Sequence, residues 1–284
     1  MSVNASPSEA AARVPSPIPA SLRASGGVRV RIACTPLGSR PLRIAESGGY
    51  RVRFPRQAGP CEGVLINTGG GVAAGDRFTV EATIETGADA VLTSQAAEKV
   101  YRSDGPDAET TIRLDLKRDS RLDWLPQEQI LFDGARLRRG LEAALAADAS
   151  LMLAESIVFG RIARGEVLTT GLFRDRWRIR RNGRLVFAED IRLDGPLHPM
   201  LTRKAAAGGG RALATVVYIA PDAEKRRDEA RAALEDASSE CGASAWDGVL
   251  VARFLSLDPQ ALRADLARFL ERFRGRPMPR SWQM

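Results

Sequence analysis

Several polar side chains of this sequence lie in segments that are otherwise apolar. Asp76 ends a glycine-rich loop, Gln127 and Glu128 follow a proline, and Glu155 interrupts an apolar run. Carboxylates can act as general acids and bases, but spacing alone selects no acid/base couple here. Polar groups away from an obvious solvent face are either hydrogen-bonded within the fold or line a wet space, and both interpretations stay open. The remaining members of this set are Thr93, Ser94, Gln95, Lys99, Tyr101 and Asp133.

The histidine and cysteine content excludes most tight transition-metal sites. His198 is the only histidine of the 284 residues. This excludes a three-histidine site, a facial triad of two histidines and a carboxylate, and an HExxH helix. Cys34, Cys61 and Cys241 are odd in number, lie far apart and form no CxxC pair. We therefore expect reduced thiols in a cytoplasmic protein without a disulfide framework.

The glycine-rich segment from Gly69 to Gly75 resembles two nucleotide-binding motifs and fits neither. A Walker-type phosphate loop continues with a lysine and a hydroxyl residue, whereas Asp76 and Arg77 follow here. A dinucleotide-binding loop opens a helix, whereas the residues after this segment alternate with a period of two. We therefore predict no nucleotide site in this loop.

Apolar residues recur at every second position over most of the chain from about residue 28 to residue 217. From Phe78 to Ile84, for example, apolar and polar residues alternate, which is typical of strands with one face on a core and one in water. The pair Asn182-Gly183 predicts a type I′ hairpin turn. Strands spaced by about 8–12 residues without long helices between them indicate a mainly β protein. We predict a large antiparallel body, β-helical or sandwich-like, with two C-terminal α-helices packed on it.

The helices are predicted near residues 223–238 and 259–274. The second has Asp258 as its N-cap, Pro259 at its first position and Gly275 after its end. Its apolar stripe is expected to pack on the β-body of the same chain rather than on a partner. The stripe consists of Leu262, Leu266, Phe269 and Phe273.

The outer limits of the domain follow from composition. Residues 1–26 are rich in Ala, Ser and Pro and predict a disordered tail, so residues 27–284 form a single domain. The longest stretch without a charge has 13 residues, from Gly63 to Gly75. This stretch is too short to span a membrane.

The formal net charge of +7 is concentrated in the N-terminal part of the chain. Residues 1–60 contain nine arginines and two glutamates, and the rest of the chain is balanced. A basic segment suits nucleic acid or an acidic partner, but no set of aromatic residues for base stacking accompanies it. A nucleic-acid-binding module and a β-sandwich hydrolase using paired carboxylates are the alternative functions.

Several collinear blocks of the sequence resemble the family of the urease accessory protein UreD, also called UreH. The first are the glycine-rich loop Ile66–Asp76 and the segment Leu92–Ser103. Two residues depart from the family pattern, because Ala74 stands where the family often has glycine and Glu98 where it usually has a small hydroxyl residue. Further blocks follow in the same order at residues 122–128, 130–135, 155–161, 176–179, 251–255 and 279–282.

The resemblance implies a β-rich scaffold that is not an enzyme. It further implies binding to the urease structural subunits and to the accessory protein UreF, which recruits the GTPase UreG, without nucleic acid or membrane. Nickel would pass through an internal channel towards the urease active site. Imidazole and thiolate ligands would hold nickel tightly, whereas oxygen ligands allow exchange, so we expect transient nickel passage and no tightly bound cofactor. The candidate residues for lining this path are Asp76, Glu98, Gln127, Glu128 and Glu155.

Overall fold

The computed structural model describes residues 23–56 and 59–283. The predicted tail lies outside these ranges except for its last four residues, of which Ser25 and Gly26 begin the first strand. The elements in chain order are β1 (Ser25–Thr35), β2 (Gly38–Ser47), β3 (Tyr50–Arg53), β4 (Cys61–Asn67), β5 (Arg77–Ile84), β6 (Asp89–Ser94), β7 (Glu98–Val100), β8 (Ala108–Leu116), β9 (Arg121–Leu125), β10 (Gln129–Leu131), β11 (Arg136–Leu145), β12 (Ser150–Phe159), β13 (Thr170–Arg181), β14 (Arg184–Pro196), α1 (Leu197–Leu201), β15 (Ala212–Ile219), α2 (Arg227–Ala232), β16 (Glu240–Trp246), β17 (Val249–Ser256) and α3 (Pro259–Arg274).

The strands form two sheets that face each other. The first sheet has the strand order β14-β13-β11-β8-β5-β1-β2, and the second has the order β16-β17-β15-β12-β9-β6-β4-β3, with β10 and β7 continuing it beside β12. Apolar side chains from both sheets fill the main core between them. A second core lies between the outer face of the second sheet and helices α2 and α3. The mainly β fold class with helices packed on the body is confirmed.

The direction of strand pairing requires a correction to the predicted antiparallel body. In the first sheet β1, β5, β8, β11 and β13 pair in parallel, and in the second β4, β6, β9 and β12 do the same. From β4 to β13 the chain passes repeatedly from one sheet to the other, as in a β-helix, so no helical crossover is needed to bring parallel strands together. Antiparallel pairs occur in the outer parts of the sheets, for example β1 with β2 and β13 with β14.

Both open ends of the two-sheet body are bridged by charged side chains. Glu46 on β2 accepts a hydrogen bond from Arg53 on β3 at 2.8 Å. At the other end, Glu189 on β14 pairs with Arg253 on β17 through two contacts of 2.8 and 3.0 Å. Exposed ion pairs contribute little stability, but these two link the first sheet to the second where no strand closes the gap.

The predicted hairpin and the last helix are confirmed. Asn182 and Gly183 have φ angles of 48° and 78° between β13 and β14, as a type I′ turn requires. The Asp258 carboxylate accepts the Gln260 N–H at 2.8 Å at the start of α3, and Gly275 ends the helix in a left-handed conformation. All four residues of the predicted stripe are at most 2% exposed. Burial of each stabilises the fold by roughly 1.5–3 kcal/mol relative to an exposed position.

The helix predicted near 223–238 is shorter in the structure, where α2 spans Arg227–Ala232. Asp265 on α3 accepts hydrogen bonds from the backbone N–H groups of Ser238 and Ser239 at 3.0 and 2.8 Å. These bonds hold the segment that leads from α2 into β16. The short helix α1 was not predicted. No helix in the described ranges combines the length and the apolar character needed to cross a bilayer.

Candidate functional site

The second sheet has a gap in its backbone ladder near its centre. Residues 95–97 separate β6 from β7, and residues 126–128 separate β9 from β10. On the other side of the gap, β12 pairs with β9 through residues 150–153 and with β10 through residues 157–159. Within the described ranges, residues 154–156 of β12 therefore have no strand partner on the side that faces β9 and β10. We call this opening the window.

An internal cavity of about 350 Å³ extends from the window towards the first sheet. Its walls are mostly apolar and include Val80 and Ile112 of the first sheet. Three of the five predicted path residues line it, namely Glu98, Gln127 and Glu155. The structure thus brings together carboxylate and amide groups that lie far apart in the sequence.

Glu98 places its carboxylate on the β3 side of this cavity. One oxygen accepts a hydrogen bond from the Tyr50 hydroxyl at 3.0 Å, and the other accepts one from the Asn67 side-chain amide at 3.0 Å. Burial raises the pKa of Glu98, and the two hydrogen bonds oppose that rise. Burial, together with the nearby Glu98 charge, raises the pKa of Tyr50 well above its ordinary value. The carboxylate is therefore a partly desolvated group whose charge a cation would stabilise.

Glu155 lies at the inner end of the cavity, on the face of β12 that points to the first sheet. Its carboxylate accepts a hydrogen bond from the Trp124 indole at 2.8 Å and pairs with both terminal nitrogens of Arg139, at 2.9 and 2.6 Å. Arg139 Nε lies 3.3 Å from Asp175 on β13. Burial raises the pKa of Asp175 to about 6, and the Arg139 guanidinium opposes the rise. The two carboxylates are 3% and 2% exposed, so they offer the rival hydrolase hypothesis no accessible acid–base pair.

Gln127 ties the window to the C-terminal segment. Its side-chain amide donates hydrogen bonds to the carbonyl oxygens of Gln95 at 2.9 Å and Ser281 at 2.7 Å. Next to it, the Trp282 indole donates to the carbonyl of Leu125 at 3.0 Å. The C-terminal segment therefore packs over the outer side of the window and holds it in place.

Glu128 points to a groove of about 650 Å³ on the outer side of the second sheet. Its carboxylate pairs with Arg263 on α3 at 2.7 Å. Lys99, which is exposed, borders both this groove and the internal cavity. The groove and the cavity are therefore neighbours across the strand that carries Glu98.

Asp76 does not line the cavity and instead holds the glycine-rich loop together. Its two oxygens accept the backbone N–H groups of Ala73 at 2.8 Å and Ala24 at 2.9 Å. The loop contains Gly70, Gly71 and Gly75 at positive φ and leads into a strand rather than a helix. In the same loop, Val72 pairs with β7, so Asp76 supports the strand that carries Glu98.

Two charged residues of the site were not predicted from the sequence. Arg139 lies between Leu137 and Leu141 on the inward face of β11, and Asp175 lies inward on β13. Each is a charged residue at an apolar phase of an alternating strand. A charged residue where the alternation predicts an apolar one could have marked both residues in the sequence, because a buried charge requires a partner.

The described residues contain no group of three or more histidine, cysteine, aspartate or glutamate side chains able to hold a metal ion. Single oxygen donors instead follow one another from the groove to the core. Glu128 lies at the groove, Glu98 and Gln127 at the window, and Glu155 inside. Such donors suit a cation that moves on, since isolated oxygen ligands bind a borderline metal weakly.

Comparison with known proteins places the fold and this site in context. The model of the UreD urease accessory protein family matches residues 24–283. The chain belongs to the UreD family. It is 50% identical to a urease accessory protein UreD of Azorhizobium caulinodans, with 92% of this chain and 97% of that protein covered. It is 52% identical to UreD 2 of Methylorubrum populi (96% and 94% covered) and 55% identical to UreD 3 of Methylorubrum extorquens (92% and 90% covered). The UreD family resemblance is thereby confirmed, and with it a role in urease maturation.

Proposed function

We propose that this protein is a non-catalytic cytoplasmic scaffold that binds the urease apoprotein and UreF, and through UreF the GTPase UreG, while nickel passes through its internal cavity. Membership in the UreD family supports the maturation role. The observation that carries the nickel path is the shared cavity of Glu98, Gln127 and Glu155, which opens at a window in the second sheet.

The proposed path begins in the groove at Glu128 and continues through the window to Glu98 and Glu155. Glu128 and Glu155 each pair with an arginine, Arg263 and Arg139 respectively. A divalent cation would compete with these guanidinium groups for the carboxylates, which keeps its residence at each position short. Asp76 supports the path from outside by holding the loop next to β7.

The decisive variant is Glu98→Gln, with Glu155→Gln as a second. Glutamine keeps a similar shape, and at position 98 it still accepts the Tyr50 hydrogen bond while the negative charge is lost. Glu235→Gln, at an exposed position on the helical side, is the matched control. Each variant is co-expressed with urease and the accessory proteins at limiting nickel. The readouts are nickel content per urease, urease activity and co-purification of the complex.

We expect Glu98→Gln to lower nickel loading at least several-fold while the complex with UreF and urease stays intact. If Glu98→Gln and Glu155→Gln both fold, assemble and load nickel like the control, nickel does not pass through the cavity. If deletion of the whole protein leaves urease activity unchanged at limiting nickel, the maturation role itself is wrong.

A further inference from the structure

Strand β13 presents an arginine at every outward position from residue 174 to residue 180. Arg174, Arg176, Arg178 and Arg180 alternate with the inward residues Phe173, Asp175, Trp177 and Ile179. This face of the first sheet lies opposite the one that encloses the cavity. The arginines therefore lie on the side of the molecule away from the window.

The neighbouring strands extend this positive surface. Across β11, β13 and β14 the outward positions carry seven arginines and three carboxylates. We call this surface the arginine face. Its charged members are Arg136, Arg138, Arg174, Arg176, Arg178, Arg180 and Arg192, with Glu142, Asp190 and Asp194.

Among the described residues, four of the seven arginines on the arginine face pair with carboxylates, and the other three do not. Arg136 and Arg138 both pair with Asp107, and Arg192 pairs with Asp194. Arg174 pairs with Asp190 at 2.8 Å. Arg178 donates to the backbone carbonyls of Trp177 and Glu189. Arg176 and Arg180 are exposed, and within the described part of the chain neither has a carboxylate within 4 Å. By contrast, Arg29 on the far strand of the same sheet pairs with Glu81.

A shallow hollow of about 360 Å³ lies beside these arginines. Ala144 of β11 lies in its lining, in register with Arg180. Arg113 of β8 borders the hollow on the other side. Arg113 pairs with Glu81 at 3.0 Å, so the guanidinium groups left for a projecting acidic side chain are those of Arg178 and Arg180. Guanidinium groups favour bidentate carboxylate contacts.

From this pattern we infer that the arginine face is a docking surface for an acidic protein surface. Carboxylates such as Glu142 and Asp115 border the same hollow and would repel the uniform charge of a nucleic-acid backbone, whereas a protein surface offers charges of both signs. The outward positions of β11, β13 and β14 also carry no aromatic residue for base stacking. The inference rests on the proposed function, because the acidic surface belongs to a component of the urease maturation assembly.

The test compares two double charge reversals of equal net effect. Arg176→Glu with Arg180→Glu changes the arginine face, and Lys225→Glu with Arg227→Glu changes exposed residues at α2 beyond the second sheet. Binding to purified urease apoprotein, to purified UreF and to transfer RNA is measured separately for the wild type and both variants. Thermal unfolding and the milder pair Arg176→Gln with Arg180→Gln show whether any loss arises from misfolding.

We expect the arginine-face variant to bind one of the two proteins at least about tenfold more weakly at low salt, with the difference shrinking as NaCl rises from about 0.05 to 0.5 M. The α2 variant should bind like the wild type. Equal binding of both proteins by all variants would overturn the docking surface and leave the proposed function intact. Loss of binding to transfer RNA alone would assign the face to nucleic acid instead. A wild type that binds neither protein would overturn the partner assignments of the proposed function, and this inference with them.

Discussion

Arg139 and Glu155 form a bidentate ion pair that joins the two sheets inside the core. The nitrogen–oxygen distances are 2.9 and 2.6 Å, and the Arg139 side chain has no exposed surface. One residue comes from β11 of the first sheet and the other from β12 of the second. A fixed positive charge that belongs to the protein therefore lies beside Glu155 at the inner end of the cavity.

Replacing Arg139 by methionine should destabilise the protein strongly. The change leaves Glu155 and Asp175 buried without their cation, and breaking a buried pair in this way costs about 3–5 kcal/mol. Urea unfolding followed by tryptophan fluorescence measures the difference. Arg138→Met, on the exposed face of the same strand, is the control and should change the unfolding free energy by less than about 1 kcal/mol. Equal losses in the two variants would contradict a stabilising role for the buried pair.

The stability of the protein should depend on Asp175 between about pH 4 and 6. Because burial raises the pKa of Asp175 to about 6, the folded chain keeps a proton that the unfolded chain releases. The stability from this group is complete below about pH 4 and is lost as the pH rises to about 6. Relative to the wild type, Asp175→Asn should gain about 2–3 kcal/mol as the pH rises from 4 to 7. A constant difference in unfolding free energy across this range would refute the assignment.

The C-terminal tryptophan should matter far more than the exposed one. Trp282 donates its indole N–H to Leu125 and lies under the Arg263 guanidinium at 4.8 Å, whereas Trp246 is 43% exposed. We expect Trp282→Ala to lower the unfolding free energy by about 3–5 kcal/mol and Trp246→Ala by less than about 1 kcal/mol. Chemical denaturation of both variants measures this. Similar losses would show that the C-terminal segment does not anchor the window.

The glycine-rich loop offers a matched pair of alanine substitutions. Gly71 has φ 156°, and a Cβ there would lie 2.5 Å from the Tyr101 ring and 2.7 Å from the Lys99 carbonyl oxygen. Gly70 has φ 72° and open space around the same position. Gly70→Ala should cost about 1 kcal/mol from backbone strain alone. Gly71→Ala should lower the melting temperature clearly further, and a smaller shift than that of Gly70→Ala would contradict the close packing of this loop on β7.

The strands and the last helix were predictable because their signals are local. The period of two from Phe78 to Ile84 describes a half-buried strand whatever its neighbours are. Asp258, Pro259 and Gly275 act within one helical turn of the ends of α3. Strand direction is not local, since alternation is the same in parallel and antiparallel ladders, and the crossing of the chain between sheets is visible only in three dimensions.

The candidate site was predictable in part for the same reason. Polar residues in apolar segments marked Gln127 and Glu155, and both line the cavity. That Glu98 lines the same cavity as Gln127 and Glu155 depends on the order of the strands in the sheet, which the spacing of residues in the sequence does not show. Asp76 is also a polar residue in an apolar segment, but it accepts hydrogen bonds from backbone N–H groups instead of lining the cavity. The sequence pattern is the same in both cases, because a buried carboxylate next to a glycine-rich loop can serve either role.

Between β4 and β13 no strand pairs with the strand directly before or after it in the chain. No local hairpin can therefore nucleate folding in this region. Each pair of parallel strands can form only after the intervening chain has crossed to the other sheet and back. During synthesis, each new strand has unpaired backbone N–H and C=O groups along one edge until the next strand of the same sheet is made and pairs with it. The middle of the protein is thus expected to fold slowly, one complete circuit after another, with an unprotected edge as the growing end.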